Sequence, residues 1–258
     1  MIGPPLSIAL CGLGPTGPGR GDVREQIAWV RSRGVDAVHL NAAAPGVRAR
    51  DLDRSGRRDL AAVLRRSGLR LGGVDLWIPP EHFADPAQVD RAMASLMATL
   101  ELAGEIGALV NGPADGSVVG AVLPESLAAD HLAALAGHAE RTGARVADHA
   151  LPPRQATGPI GAGLDPSACL ATGVDPVMTA SRHARGMFAA RLSDVSRMAG
   201  GGRVPVGSRD GSLDATAYAV ALSTGGFEGR LAIDLRGLAD ANSAVASALR
   251  ALGHCVPA

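Results

Sequence analysis

Apolar positions along this chain fall in two alternating rhythms. Short apolar runs, the mark of buried strands, are separated by stretches with apolar residues three and four apart, the mark of helices. The runs predict strands at Leu6–Cys11, Val35–Leu40, Leu69–Trp77, Ala108–Asn111, Ala144–Asp148, Ile160–Leu164, Met187–Leu192 and Arg230–Leu235. The helical spacing predicts helices from Asp22 to about Ser32, then Asp59–Arg66, Pro86–Ile106, Pro124–Thr142, Asp175 to about Arg185, Leu213–Ser223 and Ala239–Leu252. Punctuation agrees. Asp22 is placed to cap the first helix, and Gly34 and Gly68 to end the first two. Val89, Met93, Leu96, Met97 and Leu100 form one apolar face of the long third helix.

Eight strands alternating with helices in 258 residues fit a single (β/α)8 barrel, for which about 250 residues is usual. An open doubly wound sheet is the alternative, but no G-x-G-x-x-G follows the first strand. There is no internal repeat and no sign of a second domain. One crossover looks deficient. Only Ala150–Pro159 separates the fifth and sixth strands, with Pro152, Pro153, Gly158 and Pro159 among those residues. A parallel crossover takes roughly a dozen residues or more. A shortened or missing helix is expected there, with thin cover over the barrel and, over that apolar surface, either a homodimer or a neighbouring segment folded across the gap.

Composition removes several function classes. Net charge is zero, so no footprint for nucleic acid is visible. All 25 basic residues are arginine, which excludes a Schiff-base lysine and a Walker-A lysine. Aromatic residues make up 2%, too few for base-stacking platforms. Cys11, Cys169 and Cys255 are odd in number and far apart, as expected for reduced thiols in a cytoplasmic protein. There is neither a leader pattern nor an apolar run of ~18 residues, so no membrane partner is expected.

The candidate chemistry lies at strand ends. Asp148, Asp165 and Asp234 close the fifth, sixth and eighth strands, where a barrel places its active site. Carboxylates converging there serve as metal ligands or proton-transfer groups; otherwise each caps a helix or pairs with an arginine. His149 becomes the inward residue if the fifth strand shifts by one, and Asp148 then turns away. His39, between Val38 and Leu40, is a barrel-interior group or a substrate contact. Trp77 and His82 suit a wall against a sugar's apolar face, or ordinary loop packing.

Several segments resemble the xylose-isomerase-like sugar isomerase/epimerase barrels. They are Ile160–Pro166 with Gly173-Val174-Asp175-Pro176, the joints at 67–71 and 102–108, Val204-Pro205-Val206-Gly207-Ser208, and 225–231. The resemblance spans Leu6 to Leu252. It implies a divalent metal (Mn2+, Mg2+ or Zn2+) on carboxylates, here Asp148, Asp165 and Asp234, and a carbohydrate substrate. It also implies proton transfer through an enediolate, with Asp148 and Asp234 as the catalytic acids. Ala168 and Arg191 stand where that family has histidines. Arginine has no lone pair for a metal. Arg191 is therefore expected to supply a fixed positive charge to the three acids or to contact substrate; otherwise it turns outward and pairs with Asp194 or solvent, leaving an ordinary metal pocket. The resemblance thus leaves two readings, a sugar isomerase/epimerase-like enzyme and a catalytically inactive barrel that binds a ligand or acts as a scaffold. Apurinic-endonuclease-type phosphodiesterases share the fold, but neither their His/Glu cluster nor a basic DNA face is visible.

Overall fold

The structure is a computed structural model that describes residues 3–14, 17–19, 21–112, 116–198 and 200–256. Eight parallel strands close into a barrel: β1 (Leu6–Ala9), β2 (Ala37–Asn41), β3 (Arg70–Asp75), β4 (Val118–Ala121), β5 (Arg145–Asp148), β6 (Ile160–Leu164), β7 (Met187–Leu192) and β10 (Leu231–Ile233). β10 pairs with both β1 and β7, which completes the ring. A small antiparallel hairpin, β8 (Asp194–Val195) with β9 (Arg203–Val204), intervenes after β7. The helices are α1 (Val23–Ser32), α2 (Arg54–Arg66), α3 (Pro80–Ala84), α4 (Val89–Val110), α5 (Ala129–Thr142), α6 (Pro166–Ala171), α7 (Pro176–His183), α8 (Ala215–Thr224) and α9 (Ala241–Ala251).

Aspartates set many of the helix starts. Asp22, Asp53, Asp165, Asp175, Asp214 and Asp240 each accept backbone N–H bonds from the helix that follows. The acid satisfies amides that have no partner within the helix. After Asp165 and Asp175 comes proline, whose fixed φ suits the first helical position.

Alternation along the strands sorts side chains onto two surfaces. Ile8, Val38, Leu40, Val74, Val119, Val146, Leu164, Leu192 and Ile233 point outward into the main core beneath the helices. A smaller apolar layer, Val118, Ala147 and Ala189 with Phe188 against it, fills the inside near the strands' amino ends. Above that layer the inward positions are mostly polar or glycine, with Ala9 and Ala232 level with His39 and Arg191.

Two expectations need correction. Ala108–Asn111 is not the fourth strand: residues to Val110 finish α4, and Asn111 donates its backbone N–H to the Gly107 carbonyl at 2.8 Å. A short apolar run fits a helix end as well as a strand, and periodicity cannot separate the two. The Asn111 side chain then bonds both the N–H and the C=O of Leu71, tying the helix end to β3. The strand itself is Val118–Ala121.

The second correction concerns α4, whose 22 residues include a window of mean hydropathy 1.4, long and apolar enough by composition to cross a membrane. It acts as a core helix, burying Met93, Leu96, Leu100, Leu102 and Ile106.

At the barrel wall, residues 149–159 carry no helix. Yet the outward residues Val146, Ile160, Ala162 and Leu164 are all buried, with Leu151 packed against their cluster. The link after β5 itself, through Leu151, lies against this wall, in keeping with the expected neighbouring segment folded over the gap.

Candidate functional site

The inward positions toward the carboxyl rim gather Cys11, His39, Asp75, Trp77, His149, Asp165, Arg191, Ser193, Asp234 and Arg236. The hairpin after β7 brings Arg203 to the same place. Deepest is a buried ion pair between β3 and β7. Arg191 Nη1 donates to Asp75 Oδ2 at 2.9 Å, and Nη2 donates to Oδ1. Neither residue is exposed to solvent. His39 Nδ1 lies 3.6 Å from Asp75 Oδ1 on the other side. Burial pushes the Asp75 carboxyl up, but the Arg191 guanidinium and His39 outweigh it and hold it well below the usual carboxylate range.

Nearer the mouth, Asp165 and Asp234 share two guanidiniums. Asp165 Oδ2 accepts from Arg203 Nη2 and Arg236 Nη2, each at 2.7 Å. Its Oδ1 accepts from the hydroxyls of Ser167 at 2.7 Å and Ser193 at 2.5 Å. Asp234 accepts from Arg236 Nε and Nη2, and Arg203 Nη1 lies 3.1 Å from its Oδ2. Burial raises both carboxyls; for Asp165, Arg203, Arg236 and the serines outweigh it, and for Asp234 the arginines do. Three carboxylates thus meet three guanidiniums, and the network is neutral as a unit.

Between the two pairs lie the rings. Trp77 meets His149 edge-on at 5.3 Å between centroids, and the Arg236 guanidinium sits 4.0 Å from the Trp77 centroid. His149 is buried, and neither ring nitrogen has a partner among the described residues. Burial, then Arg191, depress its pKa to about 3, so the imidazole is neutral.

Space for these rings comes from strand glycines. A Cβ on Gly163 would stand 2.6 Å from the His149 ring, and one on Gly120 would stand 2.8 Å from Asp75 Oδ1 and 3.0 Å from Arg191 Nη2. Gly163→Ala is expected to destabilise by about 1–3 kcal/mol through overpacking. Urea denaturation checks this, and a variant as stable as wild type would show that the ring moves freely.

Among the residues expected at the site, Asp165, Asp234, His39, Trp77 and Arg191 share one region. Asp148 does not join them. It has the parity of Val146 and points away from the axis, where its Oδ1 accepts the N–H groups of Leu123 and Ala150 and its Oδ2 pairs with Arg154 Nε at 2.8 Å. Its neighbour His149 takes the inward place. His82 is half-buried on α3 and makes no bond to the network among the described residues. Arg191 is present but pairs with Asp75, rather than with the three acids expected. Asp75, Arg203 and Arg236 were missed. Strand parity could have found two of them, since Asp75 shares a face with Trp77, and Arg236 with Asp234. Arg203 depends on how the hairpin folds back.

The donor set does not fit a divalent metal. Each inward carboxylate is already satisfied by arginine. No group of three or more His, Cys, Asp or Glu among the described residues is arranged to hold an ion.

Comparison with solved structures shows the same TIM-barrel fold. A xylose isomerase-like TIM barrel protein from Mycobacterium smegmatis, in complex with magnesium, superposes at TM-score 0.67 with 14% identity, over 97% of this chain and 95% of that one. A D-psicose 3-epimerase solved in the presence of D-fructose gives 0.68 and 11%, over 96% of each. The probable 3-DHS dehydratase of petrobactin synthesis from Bacillus anthracis gives 0.64 and 10%, over 95% and 97%. No protein-family model and no curated protein matches the sequence.

Proposed function

We propose that this barrel holds a small keto-sugar or polyol at its carboxyl rim and does so without a divalent cation. The carrying observation is the neutral network of Asp75, Asp165 and Asp234 with Arg191, Arg203 and Arg236. Arg203 and Arg236 are partly exposed, at 21% and 25% of their side chains, and face the mouth. Arg203 Nη1 is held 3.1 Å from Asp234 Oδ2, while the buried Trp77 Nε1 makes no hydrogen bond among the described residues. Donors of this kind suit the carbonyl and hydroxyl oxygens of a sugar. The sugar chemistry of several structural neighbours supports this ligand class.

Binding is favoured over enediolate chemistry. Asp148 is turned away, Asp234 is held ionised by two guanidiniums, and neutral His149 is a weak base. Efficient proton transfer wants a base whose pKa lies near the working pH.

The test is calorimetry with a panel of ketohexoses and ketopentoses, alongside proton exchange into the sugars in D2O, each with EDTA and with Mn2+ or Mg2+. Saturable binding that is unchanged by EDTA and weakened in Arg203→Gln is expected, with no exchange. Turnover that appears only with Mn2+ or Mg2+, or a marked rise in melting temperature on adding either ion, would refute the reading.

A further inference from the structure

The amino end of the barrel, opposite the rim, holds a cavity of about 730 Å3 walled by the first residues of the strands and the turns before them. At its floor is His39, which is 3% exposed and whose Nε2 has no partner among the described residues. Burial lowers its pKa, so the imidazole is neutral. Its Nδ1 faces the Asp75 carboxylate at 3.6 Å, which places the ring's proton there. Nε2 therefore carries a lone pair, and what it lacks is a donor.

A second buried polar atom borders the same point. Ser7, on β1, is wholly buried, and its hydroxyl has no partner among the described residues. A Cβ on Gly72 would stand 2.9 Å from His39 Nε2 and 3.2 Å from the Ser7 Cβ. Gly72 lines the cavity, so the space left by its missing side chain opens from there. A lone pair and a rotatable hydroxyl flanking one space call for a group that both donates and accepts. A hydroxyl does both; a carbonyl or carboxylate donates nothing, and an ammonium accepts nothing. Buried polar atoms without partners cost free energy, so a group that supplies both bonds is favoured.

Other lining residues shape the rest of the ligand. Val118, Phe188 and Ala189, from the inner apolar layer, give an apolar wall. Arg70 and Arg230 are already engaged, Arg230 with Asp36 at 2.7 Å. Arg145 and Arg185 are exposed. Arg145 commits one nitrogen to a long 3.5 Å bond with the Gly116 carbonyl, and the Arg185 guanidinium has no polar partner among the described residues. Guanidinium forks take carboxylates through paired, charge-assisted bonds. Against these two cations the lining sets Glu228, which suits them to a single carboxylate rather than a dianion.

We propose that this amino-end cavity binds a small monocarboxylic hydroxy acid with an apolar skeleton, its hydroxyl between His39 Nε2 and Ser7 and its carboxylate on Arg145 and Arg185. The volume lies within the usual range for small-molecule sites.

The probes are 4-hydroxybenzoate and 6-hydroxyhexanoate, each compared by calorimetry with benzoate or hexanoate, which lack the hydroxyl. At least one hydroxy acid is expected to bind about tenfold more tightly than its counterpart, because the counterpart leaves the polar floor unpaired. It should also move the His39 Nε2 15N resonance. Ser7→Ala should abolish the preference for the hydroxyl. Arg185→Gln, at an exposed position, should weaken a hydroxy acid and its counterpart alike by about tenfold. The wild-type preference and the His39 resonance test the floor without any variant. Failure of both hydroxy acids to bind, or binding no tighter than their counterparts, would overturn the proposal. So would a preference that survives in Ser7→Ala, or binding that is lost in Arg203→Gln at the rim and kept in Arg185→Gln. None of these outcomes depends on whether the rim binds a sugar.

Discussion

Replacing Arg191 with methionine will destabilise the protein by roughly 3–5 kcal/mol, the cost of stranding one partner of a buried ion pair. Asp75 would be left wholly buried, with a neutral His39 as its close polar neighbour. For a chain of this size the melting temperature should fall by on the order of 10 °C. Removing the stranded charge as well, in Arg191→Met with Asp75→Leu, should recover much of the loss, because a buried pair repays its desolvation only in part. Urea denaturation of the two variants measures both effects. If the double variant is no more stable than Arg191→Met, the penalty comes from lost packing and not from the uncompensated carboxylate.

Acid will unfold this protein in two stages. His149 titrates near 6.5 in the unfolded chain and at about 3 in the folded one, surrounded by Arg191, Asp165, Asp75 and Arg236. Its folded pKa is depressed, so the unfolded state binds more protons between those values. Stability is therefore complete above about pH 6.5 and declines as pH falls toward 3. His39, also lowered by burial, acts in the same direction. Asp75, Asp165 and Asp234 are depressed too, and their contribution is present above about pH 4 and lost below it. The histidine stage should amount to a few kcal/mol, since a tenfold change in proton affinity is worth about 1.4 kcal/mol. His149→Phe should flatten the slope between pH 6.5 and 4 and leave the steeper fall below it. A wild-type stability that stays level from pH 7 to 4.5 would contradict a buried neutral imidazole.

The barrel was legible in the sequence because its outward strand faces and helix faces obey simple periods. The fourth strand was misplaced because Ala108–Val110 continues an apolar helix, and nothing local in three residues distinguishes the two. At the site, Asp165 and Asp234 were legible as acids closing strands. Asp148 ends its strand in the same way, and its direction depends on a single-residue choice of register, which the apolar pattern of Arg145–Asp148 leaves open. The partners were harder. Arg191 stands out because it occupies the place of an expected histidine, but its partner Asp75 lies across the barrel, 116 positions earlier. Arg203 arrives on a loop whose course depends on a two-stranded hairpin. Contacts set by closure of the ring carry no local signature.

On the metal-free reading proposed above, an arginine in the place of a cation also changes what the protein needs from its surroundings. Its counter-charge is encoded in the chain and covalently tethered at Arg203 and Arg236. It cannot be exchanged for another ion, stripped by a chelator or loaded wrongly during synthesis. On that reading the rim is complete once the hairpin of β8 and β9 is in place, with Arg203 on Asp165.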